Sequence, residues 1–278
     1  MSPVNHVSTD ASIKNAEYWH FMLTLGVMAG VGCSLIFTPA FTAPGHYFRE
    51  KRGTATGLAT TGGSIGGVIF PLILEKTIAT IGFAWAVRVL GFIMLFLAII
   101  ANLLIRTRLP PLPDSNSRPD LTIFRQPAFA WLTAATFMME IGLFVPLTYL
   151  VSYSIAEGIS PSLAYQLLAI LNAGSFFGRW LAGYAADRIG RFNTLIMCDS
   201  LCLAMTAGVW LPARGSKVMM VVYAAVFGAG SGSNISLTPV CVGQLCRTEQ
   251  YGRYYATCYT VVSFGYVAKP FEETLLSG

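Results

Sequence analysis

The sequence predicts an all-α, polytopic integral membrane protein of about eight transmembrane helices, and three observations carry that prediction. Hydrophobic residues make up 54% of the 278 and charged residues only 11%, whereas an ordinary soluble domain carries about 25% charged residues. Apolar runs recur eight times, each close to the roughly 20 residues that span a bilayer. Finally, the stretch AGVGCSLIFTP (Ala29 to Pro39) is written again as AGSGSNISLTP from Ala229 to Pro239. Ala29, Gly30, Gly32, Thr38 and Pro39 thus answer Ala229, Gly230, Gly232, Thr238 and Pro239. Each copy is followed by a basic loop, YFREKRG after the first and CRTEQYGR after the second. Paired, interrupted apolar segments of this kind mark transporters built from internal repeats. Chance likeness between helices rich in Gly, Ser and Thr is the alternative.

Taken in order, residues 1–19 form a polar tail without the charged and apolar regions of a signal peptide. Spans follow at about 20–44, 54–74 and 84–105, giving an N-terminal unit over 20–108. Residues 109–127 carry Pro110, Pro111, Pro113, Pro119 and Pro127 among Asp, Ser and Asn. Proline removes donors and fixes the backbone, so this is a linker. A second unit, 128–278, holds spans at about 128–151, 162–186, 192–211, 218–242 and 252–269. Of the 18 Lys and Arg, eleven fall on the side of Lys51, Arg52, Arg188, Arg191 and Arg247, five on the side of Lys76, Arg214 and Lys217, and two, Arg88 and Arg179, within spans. The positive-inside rule makes the first side cytoplasmic. The pI of about 8.9 therefore reflects topology, since no basic stripe suited to nucleic acid exists.

Six cysteines, Cys33, Cys198, Cys202, Cys241, Cys246 and Cys258, lack zinc-ligand spacing and read as free thiols. His6, His20 and His46 make no metal or catalytic pattern, and GAGSGS lacks the Gly-Lys ending of a phosphate loop. The sequence therefore predicts no enzyme, no cofactor and no metal.

Charges inside spans are the sharpest functional signal. Arg179 lies eight residues before Asp187, hence roughly 12 Å into a hydrocarbon core of roughly 30 Å. Such a residue is by default a functional candidate. Asn172 and Ser175 share its helix face, giving a polar stripe, and a guanidinium can grip a carboxylate with two parallel hydrogen bonds. A structural arginine is the alternative. Glu140, near mid-depth of its own span, is the candidate proton-coupling carboxyl. Arg88 reads as an interface anchor, and Asp199 as a minor candidate. Gly53 and Gly57, Gly62 and Gly66, and Gly63 and Gly67 stand four apart, so each pair stacks on one helix face and admits a neighbouring backbone.

The runs YWHFML, GVGCSLIFTP, YFREKRGTATGLATTGGSIGG and Pro71 resemble the fourth and fifth helices of the monocarboxylate transporter family of the major facilitator superfamily, in its fungal branch. GFAWAVRVLG with RTRLPP resembles the sixth helix, GLFVPLTYLVSY the seventh, and GRWLAGYAADRIGR the eighth with its following loop. The resemblance covers about Tyr18 to Gly265 and implies a partial major facilitator fold, with 20–108 equivalent to helices 4 to 6 and 128–278 to helices 7 to 11. It implies that Arg179 binds the carboxylate of the substrate; animal members carry an acidic residue one turn earlier, where this chain has Ser175. Gly183, Asp187, Arg188, Gly190 and Arg191 match the superfamily's G-x-x-x-D-R-x-G-R loop. Asp187 and Arg191 are placed to bond each other and neighbouring helix ends, as a cytoplasmic latch.

Two functions of different class follow. One is proton-linked secondary transport of a monocarboxylate or related small solute by alternating access, in the plasma membrane first and an internal membrane second. The other is a shortened member, lacking the first three helices and the twelfth, that acts as a membrane sensor or assembly partner or is an incomplete gene product. The partners expected are the solute, protons and the bilayer, with no nucleic acid; a homo-oligomer is left open. The 278-residue chain is expected to insert in membranes without catalysing uptake alone, because a cavity wall would be missing.

Overall fold

The computed structural model describes residues 22–48, 50–105 and 119–267. Among these residues lie eight α-helices and no strand. They are α1 (Ala29–Tyr47), entered through the π-helical stretch Met22–Met28; α2 (Arg52–Ile81); α3 (Phe83–Leu104); α4 (Pro127–Ala156); α5 (Pro161–Ile189); α6 (Arg191–Met205), continued by a π-helical turn Thr206–Trp210; α7 (Lys217–Val242); and α8 (Tyr251–Val267). The polar tail and the linker residues 109–118 lie outside the described residues, as does the chain after Val267.

The punctuation follows backbone chemistry. Pro127 and Pro161 open α4 and α5 at the first helical turn, where the missing N–H is not needed. A single residue joins α2 to α3 and another joins α5 to α6. Gly82 (φ 80, ψ 164) and Gly190 (φ 101, ψ 141) take backbone conformations that a side chain would strain.

Six of the helical segments are long and apolar enough to cross a membrane by length and composition: Gly26–Gly45, Arg52–Ile81, Phe83–Leu104, Pro127–Ala156, Arg191–Trp210 and Lys217–Val242. The other two expected spans fall outside that set for local reasons. Helix α5 is diluted by Asn172, Ser175, Arg179, Asp187 and Arg188, and the described part of α8 has 17 residues. Large apolar side chains such as Trp131, Leu203 and Val218 stand exposed, as a helix facing acyl chains requires.

By three-dimensional contact the described chain divides into two compact units, one of residues 22–40 and 73–105, the other of 41–72 and 119–267. The first two-thirds of α2 thus packs with the helices that follow the linker. In this larger unit α7 is the most buried element, with residues such as Leu237, Val240 and Val242 enclosed. One apolar cluster joins Phe129 and Leu132 of α4 to Tyr255, Cys258 and Val262 of α8. A second joins Leu143 and Leu150 to Leu167, Met220, Tyr223 and Phe227.

Helices α5 and α7 approach backbone to backbone. A Cβ at Gly174 or Gly178 would strike the Ala225 or Ala229 carbonyl, and one at Gly228 the Leu171 carbonyl. The Ser233 hydroxyl closes the same contact, 3.2 Å from the Gly178 oxygen. Small residues are what membrane helices use for close packing, since lipid gives them no hydrophobic drive to associate. The second copy of the repeated stretch is built into this contact. At Gly30 and Gly32 of the first copy a Cβ would meet nothing within 4 Å.

The end of the linker is tied to α8. Asp120 pairs with Arg253, its backbone N–H donates to the Thr257 hydroxyl at 3.0 Å, and its carboxylate caps Thr122. The Thr122 hydroxyl and N–H, followed by Arg253, hold the Asp120 carboxyl below its ordinary pKa.

Sidedness is consistent within this unit. Arg52, Arg188, Arg191 and Arg247 line one cavity, while Glu157 meets Gly215 of the loop between α6 and α7 at the opposite helix ends. Single cysteines replacing Lys51, Asp187 or Arg247 in a cysteine-free background are expected to resist an impermeant thiol reagent applied from outside. Those replacing Lys76, Glu157 or Lys217 should react; labelling of the first set in intact cells would invert the topology.

Candidate functional site

The polar residues of α5 meet α2 in one antiparallel seam. Reading inward from the start of α2, Gly53 and Thr54 face Asp187, Gly57 faces Gly183, Thr60 faces Arg179, Ser64 faces Ser175, and Gly67 faces Asn172. Successive rungs advance three or four residues on each helix, which is the spacing that keeps one face of a helix turned to its neighbour.

The first rung is electrostatic. Asp187 Oδ1 accepts the Gly53 N–H at 2.8 Å, and Oδ2 accepts the Thr54 N–H at 2.8 Å and the Thr54 hydroxyl at 2.7 Å. The opening turn of α2 has N–H groups with no partner inside the helix and the positive end of its dipole, so a carboxylate is the natural cap. Of the two contacts expected of Asp187, the one to a neighbouring helix end is made, by these three hydrogen bonds to the start of α2. Arg191 lies within electrostatic reach of Asp187 and of Arg52. Arg188 stacks over Tyr184 of its own helix, 4.6 Å from the ring centroid, and Gly190 supplies the break after α5.

Glycine makes the second rung possible. A Cβ on Gly183 would lie 2.5 Å from the Gly53 oxygen and 3.2 Å from the Gly57 Cα, and one on Gly53 would lie 2.6 Å from the Gly183 oxygen. Gly57 abuts the Arg179 carbonyl, Gly63 the Arg179 guanidinium and Gly67 the Asn172 carboxamide. The six glycines therefore divide. Gly53, Gly57, Gly63 and Gly67 face α5, whereas a Cβ at Gly62 would meet nothing within 4 Å and one at Gly66 only the Phe70 ring of α2 itself.

At mid-seam, Arg179 donates from Nη1 to the Thr60 carbonyl at 2.6 Å and from Nε to the Ser175 hydroxyl at 3.2 Å. Ser64 donates to Ser175 at 3.2 Å. Asn172 donates to the Leu168 carbonyl at 2.9 Å and, with Ser64, Val68, Phe176 and Phe177, borders a cavity of about 280 Å3. Arg179, Ser175 and Asn172 thus form one connected group. Glu140 does not join it: buried on α4, it lies within electrostatic reach of Tyr255 and Cys258 of α8, and the hydrogen bonds of Arg179 go to Thr60 and Ser175. Thr54, Thr60 and Ser64 are site residues that single-residue reasoning passes over. Their signal was the run of small residues at 53, 57, 60, 64 and 67, a repeat at helical spacing.

Elsewhere, Arg88 lies over the Trp85 ring, 5.0 Å from its centroid, and the Asp199 carboxylate lies within hydrogen-bonding reach of the Asn234 side chain. Among the described residues no group of three or more His, Cys, Asp or Glu is arranged to hold a metal.

Comparison with known proteins bears on this arrangement. The chain is 37% identical over 279 residues to the riboflavin transporter MCH5 of Saccharomyces cerevisiae, covering 92% of the chain and 53% of that protein. It is 38% identical over 261 residues to the MFS-type transporter opdF of Penicillium oxalicum, covering 92% and 60%. It is 37% identical over 248 residues to the fujikurins efflux protein of Gibberella fujikuroi, covering 88% and 53%. The chain spans a little over half the length of these relatives. The Major Facilitator Superfamily model matches residues 9–270. A multi-pass membrane chain with these relatives and this match belongs to the Major Facilitator Superfamily.

Proposed function

We propose that the chain serves proton-linked secondary transport of a monocarboxylate or related small solute, with the α2/α5 seam as the element that closes the cytoplasmic side. The observation that carries the reading is Arg179, whose guanidinium holds a backbone carbonyl of the facing helix across the seam. A substrate carboxylate competes for that guanidinium on better terms than a neutral carbonyl, because it carries a full opposite charge and its two oxygens can take two donors of the planar fork at once. Substrate arrival would therefore release Thr60 and loosen α2 from α5, which links binding to access. Asp187 then acts as the gate at the cytoplasmic end.

The cavity of about 280 Å3 beside Asn172 and Ser64 lies near the lower edge of small-molecule sites, roughly 300 Å3, and suits a short acid. A second reading is favoured by the relatives' names, riboflavin and fujikurins: a solute larger than a monocarboxylate, for which the seam itself would open to make room. Homo-oligomerisation and the plasma membrane belong to the same proposal.

The test is uptake in cells expressing a transport-competent form, with labelled lactate, pyruvate and riboflavin offered in parallel under an imposed pH gradient. Saturable, gradient-driven uptake of the acids supports the first reading, and riboflavin uptake alone replaces it with the second. Glu140→Gln, which keeps shape and removes the titrating carboxyl, is expected to flatten the pH dependence of uptake more than it weakens affinity. A pH profile identical to that of the parent protein removes Glu140 from proton coupling.

A further inference from the structure

A buried guanidinium outside the seam has no use in that reading. Arg52, at the start of α2, is 5% exposed. Its Nη1 donates to the Gly243 carbonyl at 3.2 Å, and its guanidinium carbon sits 4.1 Å above the Tyr251 ring. Nε and Nη2 are buried and make no hydrogen bond of normal geometry among the described residues, the Tyr251 side chain being the polar group within their reach. A buried cation left with unpaired donors is strongly unfavourable unless an anion meets it.

The surroundings supply room for one. Arg52 borders a cavity of about 1080 Å3 at the cytoplasmic end, shared with Arg188, Arg191 and Arg247. Arg191 is within electrostatic reach of Arg52, so two cations that would repel each other face one space. Three carboxylates also border it, Glu50, Asp187 and Glu249. Asp187, however, already has both oxygens engaged by the opening turn of α2.

We propose that this cavity is an anion site for a phosphate group, held between Arg52 and Arg191 with Arg188 and Arg247 at its rim. Phosphate fits better than carboxylate because its several oxygens can serve two guanidinium forks at once. The group can come from a lipid headgroup, since basic pockets between helices on the cytoplasmic side take anionic headgroups, or from free phosphate. The inference does not rest on the identity of the transported solute.

The experiment uses the full 278-residue chain in phosphatidylcholine nanodiscs. One arm titrates labelled inorganic phosphate; the other replaces a minor fraction of the lipid with phosphatidic acid and measures its retention by native mass spectrometry. Binding in the first arm alone identifies free phosphate, and retention in the second alone identifies the headgroup. Arg52→Gln is expected to lower the affinity at least about tenfold. Arg191→Gln, whose side chain is only partly buried, gives the same reading if Arg52→Gln fails to fold. Arg125→Gln, an exposed arginine outside the cavity, should bind like the parent. No binding in either arm, undiminished binding in both cavity variants, or an equal loss in Arg125→Gln overturns the site.

Discussion

Arg179→Lys is expected to bring carboxylate uptake by a transport-competent form to background while leaving membrane insertion intact. The guanidinium donates at once from Nη1 to Thr60 and from Nε to Ser175, in the fixed planar fork that also matches a carboxylate. An ammonium is a point charge on a flexible stem. It can replace one of these bonds but cannot keep Ser175 as an anchor while presenting two parallel donors to a substrate. Loss of one charge-assisted bond of about 1.5–3 kcal/mol lowers affinity roughly ten- to 150-fold. Uptake kinetics and surface biotinylation measured together separate the two outcomes. If Lys supports normal transport, the arginine is a packing element and the carboxylate assignment loses its main support.

Gly183→Ala is expected to force the gate open, and Gly62→Ala to leave it closed, although both place one methyl on a helical glycine. The new Cβ at position 183 would sit 2.5 Å from the Gly53 oxygen and 3.2 Å from the Gly57 Cα, and these are backbone atoms that cannot swing aside. Overpacking of this kind costs about 1–3 kcal/mol. At position 62 the methyl meets nothing within 4 Å, and alanine gains about 1 kcal/mol of helix propensity over glycine. A cysteine placed at Ser175 should be labelled from the cytoplasmic side faster in the Gly183→Ala background and at the parental rate with Gly62→Ala. Equal rates in both would mean that the helices already part freely at this rung.

The two glycines also show where the sequence could and could not be read. Apolar run length made all eight helices legible, and the spacing of Gly53, Gly57, Gly63 and Gly67 announced a face for close approach. The same spacing rule admitted Gly62 and Gly66, because a four-residue step states that two residues share a face without saying which face meets a neighbour. Asp187 was legible as a helix-end ligand because its loop motif marks the end of α5, but its pairing with the start of α2 depends on two chain segments more than 130 residues apart. Glu140 illustrates the opposite limit. Depth along a helix can be counted, but rotation about its axis cannot, and it is rotation that turns this carboxyl toward α8. Arg52 belongs with it: charge counting assigned it to topology, and only the fold places it over Tyr251.

The seam has one further property, which comes from its uneven chemistry. Glycine faces are smooth, and two smooth helices could settle one turn, about 5.4 Å, out of step with nearly the same contact. The Asp187 rung removes that freedom. Only the opening turn of α2 offers N–H groups not already spent on the helix ladder, so the carboxylate finds donors at Gly53 and Thr54 and none a turn further along. Asp187 is in this sense the datum of the pair, the mark from which the positions of Arg179, Ser175 and Asn172 along α2 are measured. A one-residue deletion between Gly183 and Asp187 would leave composition and hydropathy almost unchanged. It would nevertheless rotate the mark by about 100°, leaving the rest of the seam intact but without an origin.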